Sequence, residues 1–400
     1  MPAMLSEWLN ILLRWTHLIA AIMWVGDSFL FMWMDSHLEK PSRPRDGDVA
    51  GELWMVHSGG FYEMVKRRTL APGELPENLH WFKWQSYTTW LSGFALLVVV
   101  YWIGGHAFLL DNAVSSLSVG QAIALSGGSL VAGWLLYDAL WMSPLAKRPA
   151  VAGLVSFALL VVAIVGFTHA FSARAAYLQT GALMATIMAA NVWRRIIPAQ
   201  TQMLAATRAG TAVDTSLGAR AKQRSTHNHY MTFPVVFCML SNHFPGMYGN
   251  TQPAVVLTLF VVFGASFKLW MNLRGRTPLW ALGAGVVSLL ALAGLTAPRR
   301  HAAVESAGAR GIGAVSFATA RGVIERRCVT CHATHPTNPS FTEPPAGVRF
   351  DDPERIVALA ERIRVRAVET KTMPLGNLTG ITDAERDTLG AWIAQGAKPR

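Results

Sequence analysis

The sequence predicts an all-α protein in two parts. A polytopic transmembrane bundle occupies residues 1–297, and a small helical domain at 316–400 follows a linker at 298–315. Three observations carry this division. Apolar residues make up 52% of the 400 and charged residues only 15%, too apolar a balance for a soluble chain of this length. The apolarity is gathered into separate runs of bilayer length. The last part of the chain loses those runs and holds the motif Cys328-Val329-Thr330-Cys331-His332.

Nearly uncharged runs lie at 8–34, 86–104, 119–142, 149–168, 175–197, 229–244, 253–273 and 278–296. Each is long enough, or nearly so, to cross about 30 Å of hydrocarbon as a helix, which predicts about eight spans. The sixth is the weakest, because it is short and contains Pro234. Met1 to Asn10 carries no basic residue, and no small-residue cleavage site ends the first run, so that run is expected to be a retained span.

Loop charges orient the bundle, since Lys and Arg are retained on the cytoplasmic side. Seven of them (Lys40, Arg43, Arg45, Lys66, Arg67, Arg68, Lys83) lie between 35 and 85, and none between 105 and 118. Lys147 and Arg148 mark the third connection and Arg174 alone the fourth. Arg194, Arg195, Arg208, Arg220, Lys222 and Arg224 mark the fifth, no cation the sixth, and Arg274 with Arg276 the seventh. This alternation predicts both chain ends outside the cytoplasm. The net charge of +11 therefore reads as topology signal beside anionic lipid, not as a nucleic-acid surface.

After the linker, Phe317 to Arg327 suits a helix running into the motif, and Pro353 to Thr370 suits another. Thr382, Asp383 and Glu385 open a third that carries Leu389, Trp392 and Ile393. CxxCH is the spacing at which two thiols add to haem vinyl groups while the following imidazole ligates the iron, so one covalent haem c is expected on Cys328, Cys331 and His332. Met373, followed by Pro374, is the only methionine after Met271 and is the expected second axial ligand. The competing readings are a redox disulfide and half of a zinc site. No second CxxC follows, and Cys238 lies far away in an apolar stretch. The order of helix, haem motif, loop, helix, Met-Pro and terminal helix resembles a class I cytochrome c domain. A module this small gains from the haem the core it lacks.

Ionisable residues at membrane depth are costly and usually face a partner, cofactor or cavity. Arg14 and His17, three residues apart, share a helix face. His17, His169 and His243 fall in the outer half of the bundle or at its outer edge. Two imidazoles from different helices are the donor set of a b-type haem, and a lone helix histidine is equally a hydrogen-bonded core residue. Toward the inner side lie Asp27, Asp138, Asn191 and Lys268, with loop residues His57, Lys66, Arg67, Arg68, His80, Lys83, His227 and His229. These are candidates for binding an anionic substrate, against the reading that the loop charges are simply solvated.

The stretches RWTHLIAAIMWVGDSFLFMWMD from Arg14, HSGGFYEMVKRRTLAP from His57, LHWFKWQSYTTWLSGF from Leu79 and NHYMTFPVVFCMLSNHFP from Asn228, joined to a C-terminal CxxCH, resemble the bacterial membrane-bound urate oxidase (urate hydroxylase) family. That family fuses a multi-span domain to a cytochrome c, and the likeness covers essentially the whole chain. It implies oxidation of urate to 5-hydroxyisourate in purine degradation at the bacterial inner membrane. Electrons would pass through the c haem to a respiratory acceptor, a cytochrome c or a terminal oxidase. Urate is a planar purine monoanion and needs a cation, amide-type partners and an aromatic slot, for which Arg14, Lys66, Lys83 and Asn191 are candidates. Arg14 and His17 are the candidate catalytic residues. The alternative is a general membrane-anchored electron-transfer cytochrome, fed by quinol or a partner dehydrogenase.

Overall fold

The computed structural model describes residues 3–104, 106–273, 278–297, 313–339, 341 and 343–399. Most of the expected linker (298–312) lies outside these residues, as do Arg274 and Arg276. The N-terminal part begins with α1 (Ala3–Ser36), followed by a two-stranded antiparallel hairpin of β1 (Val49–His57) and β2 (Gly60–Arg67). Next come α2 (Trp84–Leu96), which continues as a π-helical turn over Leu97–Ile103, the short α3 (His106–Leu109), α4 (Val119–Met142) and α5 (Pro149–Ala170). After them run α6 (Ala173–Asn191), a second π turn at Val192–Ile196, and α7 (Ile197–Arg208). The part closes with α8 (Thr215–Leu240), the short α9 (Pro245–Tyr248), α10 (Pro253–Leu273) and α11 (Leu279–Thr296).

Six helices among the described residues are long and apolar enough to cross a bilayer: α1, α2 with its π turn, α4, α5, α10 and α11. Of the about eight expected spans, six meet this test. The other two segments, α6 and α8, are helices of sufficient length but too polar to qualify by hydropathy. Their packing explains the polarity. Twelve residues of α6 are buried, including Tyr177, Gln179, Thr180 and Asn191, and α8 buries Arg224, Asn228 and Thr232. These interior helices meet protein on most sides, so their polar groups bond to neighbours instead of facing lipid. Gln179, for example, donates to the Ser126 carbonyl of α4 at 2.8 Å and accepts from the Ser126 hydroxyl at the same distance.

The expected sixth span also changes its bounds. α8 starts at Thr215, capped by Asp214 through the Ser216 N–H, and passes straight through Pro234. The proline ring fits because Gly264 of α10 faces it; a Cβ there would lie 2.9 Å from Pro234 Cδ. The all-α architecture carries one small addition, the β1–β2 hairpin. Ser58 (φ 50°) and Gly59 (φ 75°) form its two-residue turn, matching the positive φ at both central positions of a tight hairpin.

The C-terminal part is a small helical unit with its own core. It holds α12 (Phe317–Arg327), α13 (Pro353–Ala358), α14 (Ala360–Ile363) with a π turn at Arg364–Glu369, and α15 (Asp383–Ala394). Ser316 caps α12, while Thr382 and Glu385 form a capping box on α15. Ile324, Ile356, Ile363, Leu389 and Trp392 close the core, and the Trp392 indole donates to the Lys398 carbonyl, which makes it a packing residue.

Candidate functional site

The CxxCH motif follows directly from the end of α12. The Cys328 N–H bonds to the Ile324 carbonyl at 2.8 Å and the His332 N–H to the Cys328 carbonyl at 2.9 Å, so one helical turn gathers both cysteines and the histidine. His332 Nδ1 is 3.0 Å from the Val348 carbonyl; since a carbonyl only accepts, Nδ1 carries the proton and Nε2 keeps its lone pair. Burial also holds this imidazole below its ordinary pKa, against the opposing pull of the Val348 bond. A neutral ring oriented by a backbone carbonyl is the usual state of a metal-binding histidine.

Met373 sits on a loop latched at both ends of its peptide unit. Its N–H donates to the Arg366 carbonyl at 2.9 Å, and its carbonyl accepts from Arg386 Nη1 at 2.8 Å. Arg386 is buried and also donates to the Ala367 carbonyl. Cys328, Cys331, His332 and Met373 are all half-buried. Two thiols, an imidazole with a free Nε2 and a thioether fit a covalently attached haem with His and Met axial ligands.

The methionine loop lies against the membrane part. Arg366 Nη1 donates to the Tyr248 hydroxyl at 3.0 Å and Arg174 Nη2 donates to the same oxygen at 3.4 Å, so one phenol at the end of α9 bridges cations from both parts. A Cβ on Gly249 would lie 2.6 Å from Thr370 Cβ and 2.7 Å from Thr372 Cγ2. On the same loop Gly376, at φ 55°, would place one 2.8 Å from the Leu110 carbonyl. The loop therefore rests on α3 and α9, at the end of the bundle formed by the start of α6 and the end of α8.

The histidines named from sequence do not gather in one place. His17 turns toward α2, where Nδ1 donates to the Thr89 carbonyl at 2.9 Å and lies 3.3 Å from the Ser92 hydroxyl; Gly93 gives the ring its room. Its Nε2, like that of His332, keeps its lone pair. His169 is exposed and donates back to the Val165 carbonyl of its own helix at 2.8 Å, and His243 is exposed in the turn after α8. Arg14 is exposed and donates to Asn10 at 3.1 Å, so it does not share the inward direction of His17.

At the opposite end of the bundle, Asp138 and Asn191 do meet. Asp138 of α4 accepts from Arg195 Nε at 2.9 Å, from a second Arg195 nitrogen, and from Arg224 Nη2 at 3.0 Å. The Arg224 guanidinium lies over the Tyr137 ring at 4.9 Å. The Tyr137 hydroxyl bonds His227 Nδ1 at 2.7 Å and accepts from Asn191 at 3.2 Å, while Asn191 also donates to Asn228 at 3.0 Å. The His227 ring packs on Trp141 at 4.0 Å. Arg224 Nη1 and Asn191 Oδ1 are buried with no hydrogen-bond partner among the described residues. Lys268 is wholly buried elsewhere, its Nζ 3.6 Å from the Phe29 ring centre.

The other loop cations named from sequence are occupied at the surface. Lys66 pairs with Asp35, Arg67 with Glu74 and Arg68 with Asp48, while Lys83 lies over Trp84; His57 and His80 are exposed. Arg194, Arg195, Arg220 and Arg224, which the loop-charge rule treats as topology signals, instead line a cavity of about 250 Å³ with Trp141, Gln202 and Gln223. Their helical spacing held the clue, because Arg220, Arg224, His227 and Asn228 recur at intervals of three and four along one face of α8. No curated protein and no solved structure matches the chain. The family model for the urate oxidase N-terminal region matches residues 3–297, most of the chain, and on that extent the chain belongs to the urate oxidase N-terminal family.

Proposed function

We propose that this protein oxidises urate to 5-hydroxyisourate and passes the electrons to a c-type haem held by Cys328, Cys331, His332 and Met373. The observation that carries the reading is that a urate oxidase N-terminal region and a complete haem c donor set share one chain and touch through Tyr248. The reaction is urate plus water giving 5-hydroxyisourate, two protons and two electrons. A bound c-type haem supplies a one-electron acceptor, so each urate requires two successive transfers, and a respiratory cytochrome or oxidase must remove the electrons from the haem in turn.

The chain's own residues account for the parts of this task that do not depend on the haem. Val348 fixes the His332 tautomer, Arg386 and the Arg366 carbonyl hold the Met373 loop, and Tyr248 seats that loop on the bundle. Six helices long and apolar enough to cross a bilayer support a membrane protein, and the loop charges argue for the haem unit lying outside the cytoplasm of a bacterial inner membrane.

The test is anaerobic addition of urate to the full-length holoprotein in detergent, watching the α band of the haem. Urate should reduce the haem to the extent that dithionite does. Reduction by a quinol or a partner dehydrogenase but not by urate would replace this reading with that of a general electron-transfer cytochrome.

A further inference from the structure

We propose that the cavity among Trp141, Arg194, Arg195, Arg220, Gln223 and Arg224 is the binding site for a planar purine anion, which under the reading above is urate itself. The proposal rests on that reading for the name of the ligand, and on the cavity for its chemistry. The space of about 250 Å³ takes a bicyclic ring of ten to fifteen heavy atoms, and it continues beside a second hollow of about 190 Å³ that shares Arg194, Arg195 and Pro198 and adds Trp134 and Trp193. It is formed where α4, the π turn after α6, and α8 converge.

Charge gives the sign of the ligand. Four guanidinium groups line the space, and the carboxylate bonded to them is Asp138, held by Arg195 and Arg224 from behind. Arg194 and Arg220 are exposed at the mouth, where they attract an anion over a distance; Arg195 is half-buried and Arg224 is only 3% exposed. Arg195 and Arg224 share the single Asp138 carboxylate, and Arg224 Nη1 has no hydrogen-bond partner among the described residues, so the positive charge at the cavity is not fully met. An anion in the cavity balances that excess charge.

The remaining lining selects a purine over phosphate or a lipid headgroup. Phosphate offers acceptors alone, and arginines would suffice for it. Gln202 and Gln223 add amides that both donate and accept, matching the alternating N–H and C=O edge of an oxidised purine. Trp141 offers an aromatic wall, fixed from behind by His227 and by its indole N–H donating to Ser156 at 2.9 Å. The Trp134 indole N–H, beside the second hollow, is also buried with no partner among the described residues.

The experiment measures urate binding and urate turnover separately on the full-length holoprotein. Equilibrium dialysis with labelled urate is run on dithionite-reduced protein, which has no electron vacancy and cannot turn over. Anaerobic reduction of the oxidised haem by urate is followed in parallel. Arg220→Gln and Gln223→Ala sit at accessible positions and should fold, with unchanged thermal unfolding. Each should weaken urate binding by about tenfold, the value of one charge-assisted or buried polar contact, and raise the urate concentration for half-maximal haem reduction by the same factor. Reduction by dithionite should be unchanged.

Unaltered binding in both variants, with haem reduction by urate intact, overturns the cavity assignment and leaves the proposed function standing. Normal binding by the wild type and loss of it in the variants, with no haem reduction, supports the cavity and overturns the electron-transfer reading. Equal urate binding by the wild type and both variants in phosphatidylcholine nanodiscs, with retention of phosphatidylglycerol lowered in the variants, assigns the cavity to a lipid headgroup and also overturns the proposal.

Discussion

Replacing Asp138 with alanine removes the counter-charge of two guanidinium groups, and the structure allows its cost to be worked out. The Asp138 side chain is 11% exposed, that of Arg224 3% and that of Arg195 35%. Breaking a buried ion pair from one side costs about 3–5 kcal/mol because the surviving charge is stranded. Arg195 can turn toward water, so its share is screened to at most about 1 kcal/mol. Arg224 cannot; its remaining support is the long bond to the Asp138 backbone carbonyl at 3.5 Å and the Tyr137 ring at 4.9 Å, together worth about 1 kcal/mol. The net loss should be about 3 kcal/mol, and Asp138→Asn, which keeps an acceptor without the charge, should lose about half of that. Unfolding in mixed micelles followed by circular dichroism measures it, with Arg224→Met completing a double-mutant cycle. The reasoning predicts coupling of about 2 kcal/mol between the two sites and partial rescue of Asp138→Ala by urate, which offers Arg224 another anion. A loss below about 0.5 kcal/mol together with no coupling would refute it.

Four further outcomes follow from the geometry. Met373→Ala should keep covalent haem and lower its reduction potential, because thioether ligation favours the ferrous iron; an unchanged potential in a redox titration would mean that Met373 is not the sixth ligand. Tyr248→Phe removes the oxygen that accepts from Arg366 and Arg174, so hydrogen exchange should quicken at 370–377 and urate should reduce the haem several-fold more slowly, with the dithionite-reduced spectrum unchanged. His17→Ala should slow urate-dependent haem reduction if His17 serves an intermediate centre, and a dithionite-reduced spectrum of the wild type with a c-type α band alone removes the b-haem version. The Glu52 carboxylate is pulled from 4.5 to about 2, chiefly by the Ser42 N–H and then by Arg45. A lowered folded-state value means that its contribution is fully present above about pH 4.5 and fades as pH falls toward 2, so protection of the 38–67 region against proteolysis should persist to pH 4 and decline below it.

The parts of the fold that could be read from sequence are those in which one local rule dominates. Lipid-facing helices such as α5 announce themselves by hydropathy, and α15 by its Thr382 and Glu385 capping box. The interior helices α6 and α8 are harder, because protein neighbours replace lipid and hydropathy ceases to report depth. Residues 49–67 give little strand signal, since β1 lacks a clean alternation and its turn is a Ser-Gly pair, weaker than Asn-Gly. The arginine cavity was concealed for a different reason. Loop charge is a rule of composition and assigns every cation the same role, whereas only tertiary contact separates Lys66, paired with an exposed Asp35, from Arg224, buried against Asp138. Cys328, Cys331 and His332 were legible because sequence-local chemistry specifies them, while Val348, which orients His332, and Arg386, which holds the Met373 carbonyl, come from distant positions.

The positions of the two ends of the bundle constrain how the proposed reaction is completed. α4 has 24 residues and is about 36 Å long, with Asp138 near its C-terminal end. The methionine loop docks at the other end, on Tyr248 and α3, so electrons released in the arginine cavity must travel about 30 Å to reach it. Aromatic rings line part of that path: Tyr248 to Tyr177 at 6.4 Å, Tyr177 to Phe237 at 6.3 Å, and one helical turn along α8 Phe233, which touches Phe29 at 5.7 Å. Phenylalanine gives up an electron far less readily than urate does, so the lower part of this column is packing and not a relay. Under the proposed reading a centre between the two ends would be needed, and His17, whose Nδ1 is held by the Thr89 carbonyl, is the side chain we propose for it. The haem content of active protein decides the matter. Two haems per chain agree with a substrate at the arginine end, whereas one haem per chain with full urate turnover, and no other bound redox group, would move the substrate to the end where Tyr248 meets the methionine loop.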